Sequence, residues 1–143
     1  MSYSLQVTVD CAAPHPLAHW WAQTLGWQVE PNDEPFIRSM LEQGHATDAD
    51  TTTYDGVLVW QEGQAITDPT GPPGTPRMYF QRVPEPKTVK NRMHLDVRIG
   101  DDDAAAVRAA LEARGATFLY TGSQGPHTWI TMADPEGNEF CLS

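Results

Sequence analysis

Two stretches of the chain repeat one order of apolar and polar positions. From Leu5 to Cys11, the apolar residues Leu5, Val7 and Val9 alternate with Gln6, Thr8 and Asp10, which is the period of a strand with one buried face. The next stretch, PHPLAHWWAQTLGW, carries prolines at a helix entry, apolar Leu17, Trp20, Trp21 and Leu25, and Gly26 as a stop. That spacing predicts an amphipathic helix. The order returns between Met93 and Gly115. Leu95, Val97 and Ile99 alternate with His94, Asp96 and Arg98, Asp101 to Asp103 suit a helix cap, and Ala104, Val107 and Leu111 share a helical face that Gly115 ends. Gln6 and His94 lie 88 positions apart, and Gly26 and Gly115 lie 89 apart, so an internal repeat with one residue of slip accounts for both.

More strands are predicted after each helix, at 27–30, 56–61 and 77–83 in the first half and at 117–120, 128–133 and 138–142 in the second. Each half thus reads strand, helix, strand, strand, strand, an α+β pattern. Glu34 to Gly44 looks like a short inserted helix. Gly63 to Pro76, GQAITDPTGPPGTP, reads as a Gly/Pro-rich loop, either a lid at a binding site or a solvated loop without a role. PEPKTVKN, from Pro84 to Asn91, has the prolines and charges of a linker, and DPEGN, from Asp134 to Asn138, is a turn signal.

Length and charge narrow the function. A chain of 143 residues fits a single domain with a real core. Nineteen acidic against nine basic residues leave a formal charge of -10, and the small Lys87, Lys90, Arg92 group does not reverse that field, so neither nucleic acid nor an anionic membrane is an expected partner. The first ten residues have no charged leader before an apolar run, and no stretch reaches the roughly 20 apolar residues of a membrane span. A soluble, cytoplasmic protein is the expectation. Cys11 falls on the core row and Cys141 on the opposite one, so no disulfide between them is expected.

The polar rows carry the candidate chemistry. They comprise Gln6, Thr8 and Asp10; Tyr79 and Gln81; His94, Asp96 and Arg98; His127, Trp129 and Thr131; and Glu139 and Cys141. Large side chains such as Tyr79 and Trp129 beside His94 suit a cavity wall for an organic ligand. A face open to solvent, or simple packing of Trp129 between strands, would produce the same alternation.

With these residues in view, the sequence resembles the vicinal oxygen chelate superfamily, which includes glyoxalase I, extradiol dioxygenases and bleomycin resistance proteins. The resemblance rests on the doubled unit, on WWAQTLGW, on HLDV at the start of the second unit and on DPEGNEFCL at the end. It covers nearly the whole chain and is nearest to the glyoxalase-like branch of high-GC bacteria, as YFQRVPEPKTVKNRMHLDV suggests. It implies two βαβββ modules, about 3–83 and 92–143 with a linker at about 84–91, whose sheets curl into one cup-shaped mixed sheet, and a homodimer that exchanges modules or not.

The resemblance also implies four metal-ligand positions, which map to Gln6, Gln81, His94 and Cys141. Metal-dependent members carry glutamate at the second and fourth of these places, and in glyoxalase I one glutamate is also the base. Gln81 is neutral and Cys141 suits a softer ion such as zinc, so no cofactor is the first expectation, a divalent metal is the alternative, and glyoxalase I activity is not expected. The resulting expectation is a small-molecule binding protein with Gln6, Thr8, Asp10, Tyr79, Gln81, His94, Asp96, Trp129 and Cys141 about its ligand. Its acidic charge suits a cationic one. The alternative is a lyase, isomerase or dioxygenase that uses His94 as ligand or general base with Glu139 as the second carboxylate, or with Asp96 or Asp10 in its place.

Overall fold

The computed structural model describes all 143 residues and divides them into two compact units, Met1–Glu85 and Pro86–Ser143. The boundary falls within the expected linker. In the first unit, β1 (Val7–Cys11) leads into α1 (Pro14–Leu25), followed by β2 (Gln28–Val29), α2 (Glu34–Glu42), β3 (Thr51–Tyr54), β4 (Val57–Trp60), β5 (Gly63–Thr67) and β6 (Met78–Arg82). In the second, β7 (Leu95–Val97) and α3 (Ala104–Ala113) precede β8 (Thr117–Gln124), β9 (His127–Ala133) and β10 (Glu139–Leu142).

The two sheets have the same topology. The first runs β1-β6-β5-β2 and the second β7-β10-β9-β8; in each, the last strand lies parallel to the first and the remaining pairs are antiparallel. Each unit is therefore a βαβββ module, and the fold class is α+β with mixed sheets. The apolar rows form the cores. Phe80, Met78 and Ile66 in the first unit, and Phe140, Met132 and Leu142 in the second, are 0 to 3 % exposed, each such burial being worth about 1.5–3 kcal/mol. Helix α1 covers its sheet with Leu17, Trp20 and Trp21, whereas Leu111 is the buried residue of α3. Asp103 caps α3 as its position suggests, its Oδ1 accepting from the Ala105 N–H at 3.1 Å.

Three expectations are corrected. The stretch 63–76 is not all loop: Gly63–Thr67 is strand β5, buried over its first four residues and central in the sheet. The segment expected as a sheet strand at 56–61 instead forms β4, which pairs with the unforeseen β3 in a separate hairpin. The turn explains that hairpin, because Asp55 and Gly56 both adopt positive φ, 52° and 78°, as a two-residue turn matched to strand twist requires. Thirdly, Leu5 and Met93 lie outside their strands, 67 % and 88 % exposed. The β1 ladder begins only where Val7 N–H reaches the Arg77 carbonyl at 3.1 Å, since Pro76 just before has no N–H to give. No helix is long and apolar enough to cross a membrane.

Candidate functional site

In the first unit the insertion between β2 and β5 roofs a cavity over the sheet. Helix α2 starts from an Asp33 cap, whose Oδ1 accepts from Phe36 N–H at 3.0 Å, and buries Ile37 to 1 % exposure, while Val59 of β4 is 3 % exposed. The hairpin is tied back to α1. His15 Nε2 donates to the Trp60 carbonyl at 2.7 Å, its ring stacks on Tyr54 at 5.5 Å, and His19 lies 4.9 Å from the same ring. Desolvation, and then the nearby His15, lower the pKa of His19 from its ordinary value against a smaller opposing pull from Asp55.

The cleft is open to solvent and has a volume of about 970 Å³, with Phe36, Met40, Trp60 and Tyr79 among its apolar lining. That is the upper end of the range for drug-sized ligands. Tyr79 crosses the floor: an added Cβ on Gly63 would overlap its hydroxyl and the ring carbon that bears it. Its pKa is raised, first by burial and then by the charge of Glu62, with Arg77 acting in the opposite sense. Both guanidinium groups of the wall are engaged. Arg77 pairs with Glu30 at 3.2 Å and lies 5.7 Å from the Tyr79 ring centre, and Arg82 donates to the Gln61 side-chain oxygen at 3.0 Å when that amide is turned to place its nitrogen on the Ala49 carbonyl.

Gln6 is exposed just ahead of β1 and donates to Thr8 Oγ1 at 3.3 Å. Thr8 stands opposite Tyr79, and Asp10 opposite Gln81. With Gln6 aligned to His94, Thr8 matches Asp96 and the residue across from it, Tyr79, matches Cys141, which stands opposite Asp96. The register thus gives Tyr79 the place that the resemblance assigns to Gln81, which sits one same-face step, roughly 6.5 Å, further along.

In the second unit His94, Asp96 and Cys141 come together. Their ligand atoms all lie within 4.8 Å of one another, with His94 Nε2 3.3 Å from Asp96 Oδ1 and Cys141 Sγ 3.5 Å from Thr131 Oγ1. No disulfide joins Cys11 and Cys141. Imidazole, carboxylate and thiolate form a donor set suited to zinc, and three protein donors leave a position open, so these residues fit a divalent ion by chemistry.

Glu139 does not join them. Its Oε1 accepts from Lys87 Nζ at 2.9 Å and its Oε2 from Asn91 N–H at 3.1 Å. Burial pushes its carboxyl up, but the hydrogen bonds from Lys87 and Asn91 and the Lys87 charge outweigh that and hold it below 4.5. With both carboxylate oxygens engaged by Lys87 and Asn91, Glu139 is set apart from His94, and Asp96 is the carboxylate that stands beside it. A carboxyl depressed by folding stabilises the protein above its unfolded pKa and loses that contribution as pH falls through the folded one. Lys87→Met is therefore expected to cost about 1 kcal/mol at pH 7 and to flatten the decline of the urea midpoint from pH 5 to pH 3. An unchanged pH profile would disprove the link.

Trp129, half-buried, both packs on a neighbouring strand and borders a hollow. Its ring covers Gly122 on β8, where an added Cβ would lie 2.3 Å away, and it borders a second hollow of about 640 Å³ beneath α3 with Ile130 and Leu142. The inserted helix of the roof is expected from the sequence, but the β3–β4 hairpin is not, nor are Trp60 and Glu62 as cavity residues. The signal for the hairpin is Asp55-Gly56 between the β-branched run of Thr51 to Thr53 and the apolar run of Val57 to Trp60.

Comparison with known proteins agrees with this architecture. A fosfomycin resistance protein, FosX, from Mesorhizobium loti is 9 % identical and superposes with a TM-score of 0.62 over 99 % of this chain and 90 % of its own. A glyoxalase/bleomycin resistance protein/dioxygenase family enzyme from Burkholderia phytofirmans PsJN is 13 % identical, with a TM-score of 0.59 over 96 % and 94 %. The oxidase ChaP-H2 is 14 % identical, with a TM-score of 0.58 over 99 % and 93 %. None of the curated proteins matches the sequence. Residues 6–143 match the family described as "Glyoxalase-like domain". The chain belongs to the glyoxalase-like domain family.

Proposed function

We propose that the protein binds a small organic molecule in the roofed cavity of its first unit. The observation that carries this reading is the cavity itself, about 970 Å³ with Trp60, Tyr79, Phe36 and Met40 in its walls. Apolar and aromatic walls with a few polar groups are what a ligand site requires. Saturation-transfer NMR of a library of aromatic metabolites tests it. Binders are expected, with affinities about tenfold lower in Trp60→Ala, from the roof, and Tyr79→Ala, from the floor. Binders indifferent to both substitutions would sink the reading.

The close approach of His94, Asp96 and Cys141 favours a second reading, a metal-dependent lyase, isomerase or dioxygenase. A divalent ion held by these three would supply Lewis acidity toward an oxygen of the substrate. His94 Nε2 and Asp96 Oδ1, 3.3 Å apart, are close enough to meet one ion. Glyoxalase I chemistry stays outside both readings, because Gln81 and Cys141 are not carboxylates and Glu139 is committed to Lys87 and Asn91. Zinc titration with His94→Ala as control tests the metal reading.

A further inference from the structure

The cavity of the first unit has an uneven charge balance. Its wall carries three carboxylates, Glu30, Asp50 and Glu62, and two guanidinium groups, Arg77 and Arg82. Four of the five have a partner within the protein, although only Glu30 and Arg77 cancel each other's charge, which leaves Asp50 and Glu62 against the one guanidinium of Arg82. Glu30 holds Arg77, Arg82 holds Gln61, and Asp50 Oδ2 accepts from Thr47 N–H at 2.7 Å and lies 3.2 Å from its hydroxyl. Glu62 is the remaining one, an exposed carboxylate with no ion pair, on the strand edge beside Gly63 and the Tyr79 ring. After burial, its charge is the next cause that raises the pKa of the Tyr79 hydroxyl.

An unpaired carboxylate in a cavity walled by Trp60, Tyr79 and Phe36 matches the two attractions that select a cation. Aromatic faces draw a cation through their quadrupole. The carboxylate adds a Coulomb term, and the formal charge of -10 raises the local concentration of cations. Anions meet the opposite balance, because Arg77 is already paired with Glu30 and the two remaining carboxylates outnumber the single guanidinium of Arg82.

We infer that the cavity takes an organic cation, an ammonium carried on an apolar or aromatic body, and that Glu62 determines this specificity. The inference rests on the small-molecule reading of the cavity and adds the charge class.

The experiment is calorimetric titration of the intact protein with benzyltrimethylammonium, phenylphosphonate and benzyl alcohol, at two salt concentrations. Benzyltrimethylammonium is expected to bind, to weaken with salt, and to lose about tenfold in affinity in Glu62→Gln, a substitution at an exposed site that leaves the circular dichroism spectrum unchanged. Glu62→Asp is expected to recover part of the loss. The inference is overturned if phenylphosphonate or benzyl alcohol binds as tightly as the ammonium, or if Glu62→Gln leaves its affinity intact; in both cases the cavity still stands as a small-molecule site. If none of the three probes binds, the underlying cavity reading fails and this inference fails with it.

Discussion

Gly63→Ala is expected to lower stability by about 1–3 kcal/mol, the usual range for overpacking a filled interior. The added methyl would overlap the Tyr79 hydroxyl and ring and would sit 2.7 Å from the Phe80 carbonyl oxygen. The ring can swing away, but the carbonyl belongs to the β5–β6 ladder and moves only with the sheet. Tyr79→Ala in the same chain should therefore restore part of the loss and not all of it. Urea denaturation of the two single variants and the double variant measures this coupling. Strict additivity would mean that Tyr79 does not lie over Gly63. The same substitution should weaken any ligand held on the Tyr79 floor, so a change in stability without a change in binding would detach this contact from the cavity.

The second large effect concerns the metal reading. Zinc is expected to bind the wild-type protein through His94, Asp96 and Cys141, whose ligand atoms lie within 4.8 Å of one another. Removing an outer partner of a metal ligand typically costs 10–100-fold in affinity, so His94→Ala and Cys141→Ser, which remove ligands themselves, should each cost more than about a hundredfold. Asp96→Asn, which keeps a weak oxygen donor, should cost less. Lowering the pH should also weaken binding, since the thiol and imidazole must lose their protons to ligate. Calorimetry with zinc against a competing chelator reads all three variants. If the wild type shows no uptake, or if Cys141→Ser binds as well as the wild type, the metal reading is lost and the small-molecule reading is untouched.

Much of the architecture is local in origin and was legible. The alternation of Val7, Val9 and Leu95, Val97, the aspartate cap of α3 and the stops at Gly26 and Gly115 each act within a few residues. Their repetition at a separation of 88 or 89 positions exposed the two modules. Strand β5 escaped because Gly63 and the Pro/Gly run that follows it give a loop composition to a buried strand. The glycine is there for the Tyr79 ring, a neighbour that a linear reading does not display. Glu139 escaped in the same way, its two partners Lys87 and Asn91 lying 52 and 48 positions away. The assignment at Gln81 differs from Tyr79 by one same-face step, and only the ladder of β1 against β6 distinguishes them.

The roof of the cavity and its floor belong to different parts of the chain. The floor is β5 and β6, held by buried Ile66, Met78 and Phe80; the roof is one continuous insertion, Glu34 to Trp60, with its own anchors in Ile37, Val59 and the His15 contact to Trp60. A substitution in the roof therefore alters what the cavity admits without touching a strand of the four-stranded sheet. The lining of the cavity and the foldedness of the sheet can then drift under separate selection, and descendants of this module could exchange the insertion as a cassette while inheriting the sheet beneath it unchanged.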